Sequence, residues 1–173
     1  MSEKMSVIGL RNLIVFLLIF FSNTVYSNKA PDFILQGDDS VIKLSSYKGK
    51  VVYLDFWASW CVPCRRSFPF MNEMQEKYSE EGLKIIAVNL DTEREKAARF
   101  LKMIHADFSI AYDPEGRVPE DYKLSVVPTF YLISREGDIV YKHKGFRNSQ
   151  NDELEAMIKR ALSKTKSQIS SLN

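Results

Sequence analysis

The chain has 173 residues, 45% of them hydrophobic, 27% charged and 12% aromatic, with a formal charge of +2. That is enough apolar material for one packed domain, and the near-balanced charge gives no reason to expect a nucleic-acid surface or a polybasic membrane contact. Only two cysteines occur, Cys61 and Cys64, too few for the disulfide framework of a small secreted scaffold, so the pair is there for chemistry.

Residues 1–27 read as a secretory signal. Lys4 and Arg11 precede the apolar run 13–21, and Val25 and Ser27 hold the small-residue positions before a cut at Asn28. The run is shorter than the roughly 20 residues a membrane-spanning helix needs. An uncleaved anchor is the alternative; no cysteine follows the run, so no lipid anchor is expected. The expected location is periplasmic or otherwise extracytoplasmic, outside the reducing cytosol. One domain is expected over 28–163, with a polar tail over 164–173.

From Asn28 to Gly49 the chain reads as an extended lead-in, with a polar turn at 36–40. The stretch 51–57 is almost continuously apolar, the pattern of a strand covered on both faces, with Asp55 as its anomaly. After the cysteines, Phe68, Phe70, Met71, Met74 and Tyr78 recur at helical spacing. Pro69 should kink that helix, and Gly82 supplies its stop signal. A second buried strand covers 83–90. Asp91 and Thr92 are placed to cap a charged helix over 93–104, whose apolar face is Ala97, Phe100, Leu101 and Ile104. An extended piece over 108–112, a turn at 113–116 and a short helix over 118–124 follow. Segments 129–133 and 139–143 flank a turn as a hairpin, and a helix over 152–162 closes the chain. Strands and helices alternating in this way predict an α/β fold with a central sheet.

The chemistry concentrates in Asp55-Phe-Trp-Ala-Ser-Trp-Cys61-Val-Pro-Cys64. A buried strand runs into a short turn, and the first cysteine falls where the next helix starts. Unpaired N–H groups and the helix dipole favour a thiolate there, and the thiolate is what attacks a disulfide. Cys61 is therefore the candidate attacking thiol. Cys64, one turn further in, is the candidate resolving thiol. Half of a zinc site and a purely structural bridge are the bland alternatives. Zinc wants four ligands, but only His105 and His143 remain, neither ligand-spaced, and closing so short a loop stabilises little. No metal and no further cofactor are expected, the redox-active disulfide being the reactive group. Asp55 is costly to bury in an apolar strand, which suits a general acid or base with a raised pKa; a half-solvated strand position is its alternative reading.

Trp57-Ala-Ser-Trp-Cys61-Val-Pro-Cys64, Pro69 five residues on, and Val127-Pro128-Thr129 downstream resemble the thioredoxin superfamily. Ala30-Pro-Asp-Phe33, Gly49-Lys-Val-Val52 and the extra helix at 93–104 narrow the resemblance to its extracytoplasmic TlpA/ResA-like branch, over roughly residues 30–161. The resemblance implies a thioredoxin fold: a central mixed β-sheet flanked by helices, with an N-terminal β extension and an inserted helix–strand unit. It implies a cis peptide bond at Pro128, with the Val127 backbone offered to a peptide as an extra strand. It also implies that Trp60 shields the site and that Asp55 accepts a proton from Cys64. Trp60, Val62, Pro63, Val127 and Pro128 are the expected substrate-facing positions. Cytochrome c maturation members of this branch carry a Glu where Ser67 stands and often a neutral residue at the place of Asp55, which counts against an apocytochrome role here.

Strong oxidants of this fold usually place a histidine between the cysteines. Val62 offers no donor and Pro63 no N–H, so the pair is expected to be reducing. Arg65 and Arg66 push the other way if they favour the thiolate, or are simply a solvated helix face. The predicted function is reduction of disulfides in exported proteins by a monomeric enzyme, with a membrane electron donor implied by the resemblance. The alternatives are a disulfide oxidase or isomerase, a copper-delivery module assisted by Met103 or His105, and an interaction module without turnover.

Overall fold

The apolar run Val51–Trp57 forms the central strand β3, buried along its whole length. The protein is described by a computed structural model over residues 28–163; the signal read in 1–27 and the tail 164–173 lie outside the described residues. Around β3 the chain places β1 (Ile34–Gly37), β2 (Val41–Lys43), α1 (Val62–Tyr78), β4 (Leu83–Asn89), α2 (Arg94–Met103), β5 (Ser109–Tyr112), α3 (Arg117–Asp121), β6 (Thr129–Ile133), β7 (Ile139–Lys144) and α4 (Asn151–Ser163).

The seven strands form one mixed sheet in the order β2-β1-β5-β4-β3-β6-β7. β3, β4 and β5 run parallel, joined by α1 and α2 as crossovers; β6 runs antiparallel to β3 and continues into β7. The lead-in makes the β1–β2 hairpin that pairs with β5 at the far edge. Before it, Ala30 donates to the Gly137 carbonyl and Ile139 to that of Asn28. The first residues are thus tied to the β7 end and the hairpin to the β5 end of the same sheet. This is the thioredoxin fold with the N-terminal extension and the inserted α2–β5 unit.

The period of two along the strands splits the core. On one face Tyr53, Trp57, Ile85, Phe130 and Leu132 pack under α1, α2 and α4, through Phe68, Met71, Phe100, Leu154 and Ile158. On the other, Leu54, Phe56, Ile86, Val88 and Tyr131 are covered by Phe33, Leu44, Val118 and Tyr122. Trp57, Phe68 and Phe100 form an aromatic triangle with centroids 4.7–5.0 Å apart, so α2 is anchored directly on the root of the cysteine-bearing segment.

Pro69 lies inside α1, which continues as helix on both sides of it, and it offers no N–H to the Arg65 carbonyl. Two local readings need adjustment. That helix stops at Tyr78, and left-handed Gly82 (φ 94°) instead turns the chain into β4. The short helix expected over 118–124 is α3 at 117–121. Tyr122, Lys123 and Leu124 still bond back to the carbonyls of Val118, Glu120 and Pro119, but Lys123 at φ 48° ends the helix.

Candidate active site

At the end of β3 the chain leaves the sheet through Ala58 and Ser59, and Cys61 donates its N–H to the Ala58 carbonyl at 3.0 Å. Cys61 is the N-cap of α1, with extended backbone, and its Sγ accepts the Cys64 N–H at 3.3 Å. Pro63 sits in the first turn, where no N–H is needed. Cys61 and Cys64 are joined in a disulfide with Cα atoms 5.3 Å apart. The Cys61 sulfur thus stands at the N-terminal end of α1, where unpaired N–H groups and the helix dipole favour a negative group. Cys64 is fully buried, whereas Cys61 keeps 3% of its surface exposed. Cys61 stands at the helix N-cap and Cys64 one turn further in. Ser67 is buried, its hydroxyl donating to the Cys64 carbonyl at 3.0 Å.

Asp55 lies mid-strand in β3, between Ala87 of β4 and Phe130 of β6. Strand alternation puts it on the face that also carries Tyr53 and Trp57, the face covered by α1. It is 1% exposed, which removes the half-solvated reading, and Oδ2 has no hydrogen-bond partner. Burial holds its carboxyl well above the ordinary value of 3.8. The buried Tyr53 hydroxyl is likewise unpartnered, its pKa raised by burial, then by the Asp55 charge. A carboxyl held up in this way can take up or release a proton at a pH where an ordinary carboxyl stays ionised.

The Val127–Pro128 peptide is cis. The β3–β6 ladder ends at the pair Phe56 and Thr129, so Val127 and Pro128 lie where β3 gives way to the cysteine turn. Pro128 accepts the Gly145 N–H at 2.7 Å, while among the described residues the Val127 backbone groups bond to no other backbone group. Trp60, 70% exposed, and Val62, 65% exposed, stand out from the cysteine turn, and exposed Val126 precedes Val127. Trp60 is therefore not a core packing residue. Pro63 and Val127 are half-buried and Pro128 is buried.

Asp91 was missed as part of this site. Instead of capping α2, which starts at Arg94 after Glu93 without any side-chain cap, it turns inward. Its carboxylate accepts the Ser59 N–H and hydroxyl, both at 2.9 Å, and the Asn89 amide at 2.8 Å. The end of β4 thereby clamps the turn two residues before Cys61. The signal was present in two polar residues, Asn89 and Asp91, at the carboxyl end of a parallel strand, where open α/β sheets place their sites. Arg65, weighed as a thiolate partner, lies with its guanidinium 5.8 Å from the Phe100 ring centroid. Of the residues weighed for copper, His105 bonds Asp107 at the surface and Met103 is exposed.

Over residues 26–158 the sequence matches the Redoxin family. The chain belongs to that family. Among its Redoxin relatives, the thiol-disulfide oxidoreductase ResA of Bacillus thuringiensis is 34% identical over 133 residues, 76% of each chain. A Chlorobium tepidum structure assigned as the thiol:disulfide interchange protein DsbE is 49% identical, with a TM-score of 0.78, covering 79% of this chain and 97% of that one. The exposed lipoprotein thioredoxin of Streptococcus pneumoniae is 31% identical, with a TM-score of 0.66, covering 75% of this chain and 99% of that one. With the Cys61–Cys64 pair in place, the chain is a thioredoxin-like thiol–disulfide oxidoreductase of the ResA kind.

Proposed function

We propose that this oxidoreductase works outside the cytoplasm as a reductase of disulfides in exported proteins, recharged by a membrane-bound dithiol donor. The observation that carries the reading is the cysteine pair at the N-terminus of α1, with the unpartnered Asp55 carboxyl on the sheet face beneath that helix. The export part is supported by the signal pattern of residues 1–27. Among the described residues, no helix is long and apolar enough to cross a membrane.

In the proposed cycle the Cys61 thiolate attacks one sulfur of a substrate disulfide. That S–S bond breaks, the other substrate sulfur leaves as a thiolate and takes a proton, and a mixed disulfide forms. Cys64 then gives its proton to the Asp55 carboxylate and attacks the Cys61 sulfur. The Cys61–substrate bond breaks, the second substrate thiol is released, and the Cys61–Cys64 disulfide forms. Two electrons have passed from enzyme to substrate, and the donor dithiol returns them. The exposed Trp60 and Val62 and the Val127 backbone hold the substrate segment beside the pair. No metal and no further cofactor enter this cycle.

The test is a pair of substitutions. Cys61→Ser should abolish reduction of a protein disulfide, and Cys64→Ser should accumulate mixed disulfides visible on non-reducing gels. Full activity in Cys61→Ser would refute the mechanism.

A further inference from the structure

Beside the cysteine turn lies a shallow pocket of about 180 Å³, lined by Ser59, Arg65, Lys96, Arg99, Phe100 and Met103. Its position follows from the two elements that build it. Arg65 directly follows Cys64 in the first turn of α1. Lys96, Arg99 and Met103 recur at spacings of three and four along α2, on one face of that helix. Ser59 lies two residues before Cys61 and completes the lining.

Three cations line the pocket and no carboxylate does. Lys96 shares its charge with Glu93 at 2.8 Å. Among the described residues Arg65 and Arg99 form no ion pair. The nearby Asp91 forms no ion pair with them; its carboxylate is hydrogen-bonded to Ser59 and Asn89. The floor is apolar, with the buried Phe100 ring under Arg65, and exposed Met103 makes one wall. Guanidinium groups match a carboxylate in shape as well as charge, and the floor suits a short methylene stem.

We propose that this pocket selects protein substrates that carry an acidic side chain close to the reacting cysteine. The proposal rests on the reading above that the enzyme acts on protein disulfides, and deepens it by naming the substrate feature recognised. An anionic lipid surface is the weaker fit, because the charges line a concavity beside the reactive sulfur rather than a flat face. Since the cations are solvated, the selection acts mainly on encounter rate and weakens with salt.

The test uses short peptides with one cysteine in a mixed disulfide to a chromogenic thiol, identical except for Glu, Gln or Lys two residues from that cysteine. Attack by Cys61 on the peptide sulfur releases the chromogenic thiolate, and Cys64 then displaces the peptide thiol. Second-order rates with the reduced protein should follow Glu, then Gln, then Lys, with Glu over Gln by about threefold at low salt. The ratio should approach one at about 0.5 M salt. Arg99→Glu and, separately, Lys96→Glu should each bring the Glu-over-Gln ratio close to one, each checked for folding by circular dichroism, while Lys159→Gln on α4 should leave the ratio intact. Equal rates for the three peptides, or a ratio that neither Arg99→Glu nor Lys96→Glu lowers, would overturn the proposal. So would equal peptide rates together with binding to phosphatidylglycerol vesicles that Arg99→Glu abolishes, which would give the pocket to a membrane. Failure of the underlying reading looks different: no peptide is reduced, or Cys61→Ser reduces them as fast as the unaltered protein.

Discussion

Asp55 is the residue whose environment says most. With a raised carboxyl pKa, the native state holds one more proton than the unfolded chain between the ordinary value of 3.8 and the folded value. Stability therefore falls as pH rises through that window and levels off above it. Asp55→Asn removes this fall, so in urea titrations the variant should gain on the unaltered protein as pH rises above about 4. An unchanging gap between the two would mean that Asp55 is solvated. The same substitution should slow resolution of the mixed disulfide by about 10²-fold, read by single-turnover kinetics. Asp91→Ala strips partners from the Ser59 N–H and the Asn89 amide. It should cost about 1–3 kcal/mol in urea titrations, and a cost near zero would show that the clamp contributes nothing. Asp55 was legible because an acid in an unbroken apolar strand has few innocent explanations. Asp91 was not: an acid after a strand can cap the next helix or turn back to the previous loop, and only the tertiary path of Ser59 decides between them.

At the scale of elements, α2 and β5 are an insertion seated through aromatic contacts. Phe100 touches both Trp57 and Phe68, with centroids 4.7 and 5.0 Å away. Phe100→Ala should cost about 3–5 kcal/mol by chemical denaturation, through lost burial and the cavity left behind. A cost below about 1 kcal/mol would mean that the insertion docks elsewhere. Elements with a long one-sided or wholly apolar pattern were readable in the sequence to within a residue or two, as β3, β4 and α4 show. α3 was shifted because its limits depend on backbone geometry: left-handed Gly116 starts it and Lys123 at φ 48° ends it, and hydrophobic periodicity reports neither.

For the whole molecule, the alternation of strands and helices announced an α/β sheet, and the cysteine motif with Val127-Pro128-Thr129 announced its family. What the chain order could not give was the juxtaposition of distant segments. The cis-proline turn is brought to the end of β3 by the β3–β6 register, and the face of α2 carrying Lys96 and Arg99 is laid beside Arg65. The donor-free Val62-Pro63 pair favours a reducing couple, while the Cys64 N–H on the Cys61 sulfur favours the thiolate, so the direction of catalysis turns on their balance. The most direct measurement is the reduction potential of the Cys61–Cys64 pair, by equilibration with a defined thiol buffer. A reductase predicts a value near or below about −250 mV, on the thioredoxin side of the scale. A value of about −120 to −180 mV would make the protein an oxidase or isomerase and contradict the reductase reading.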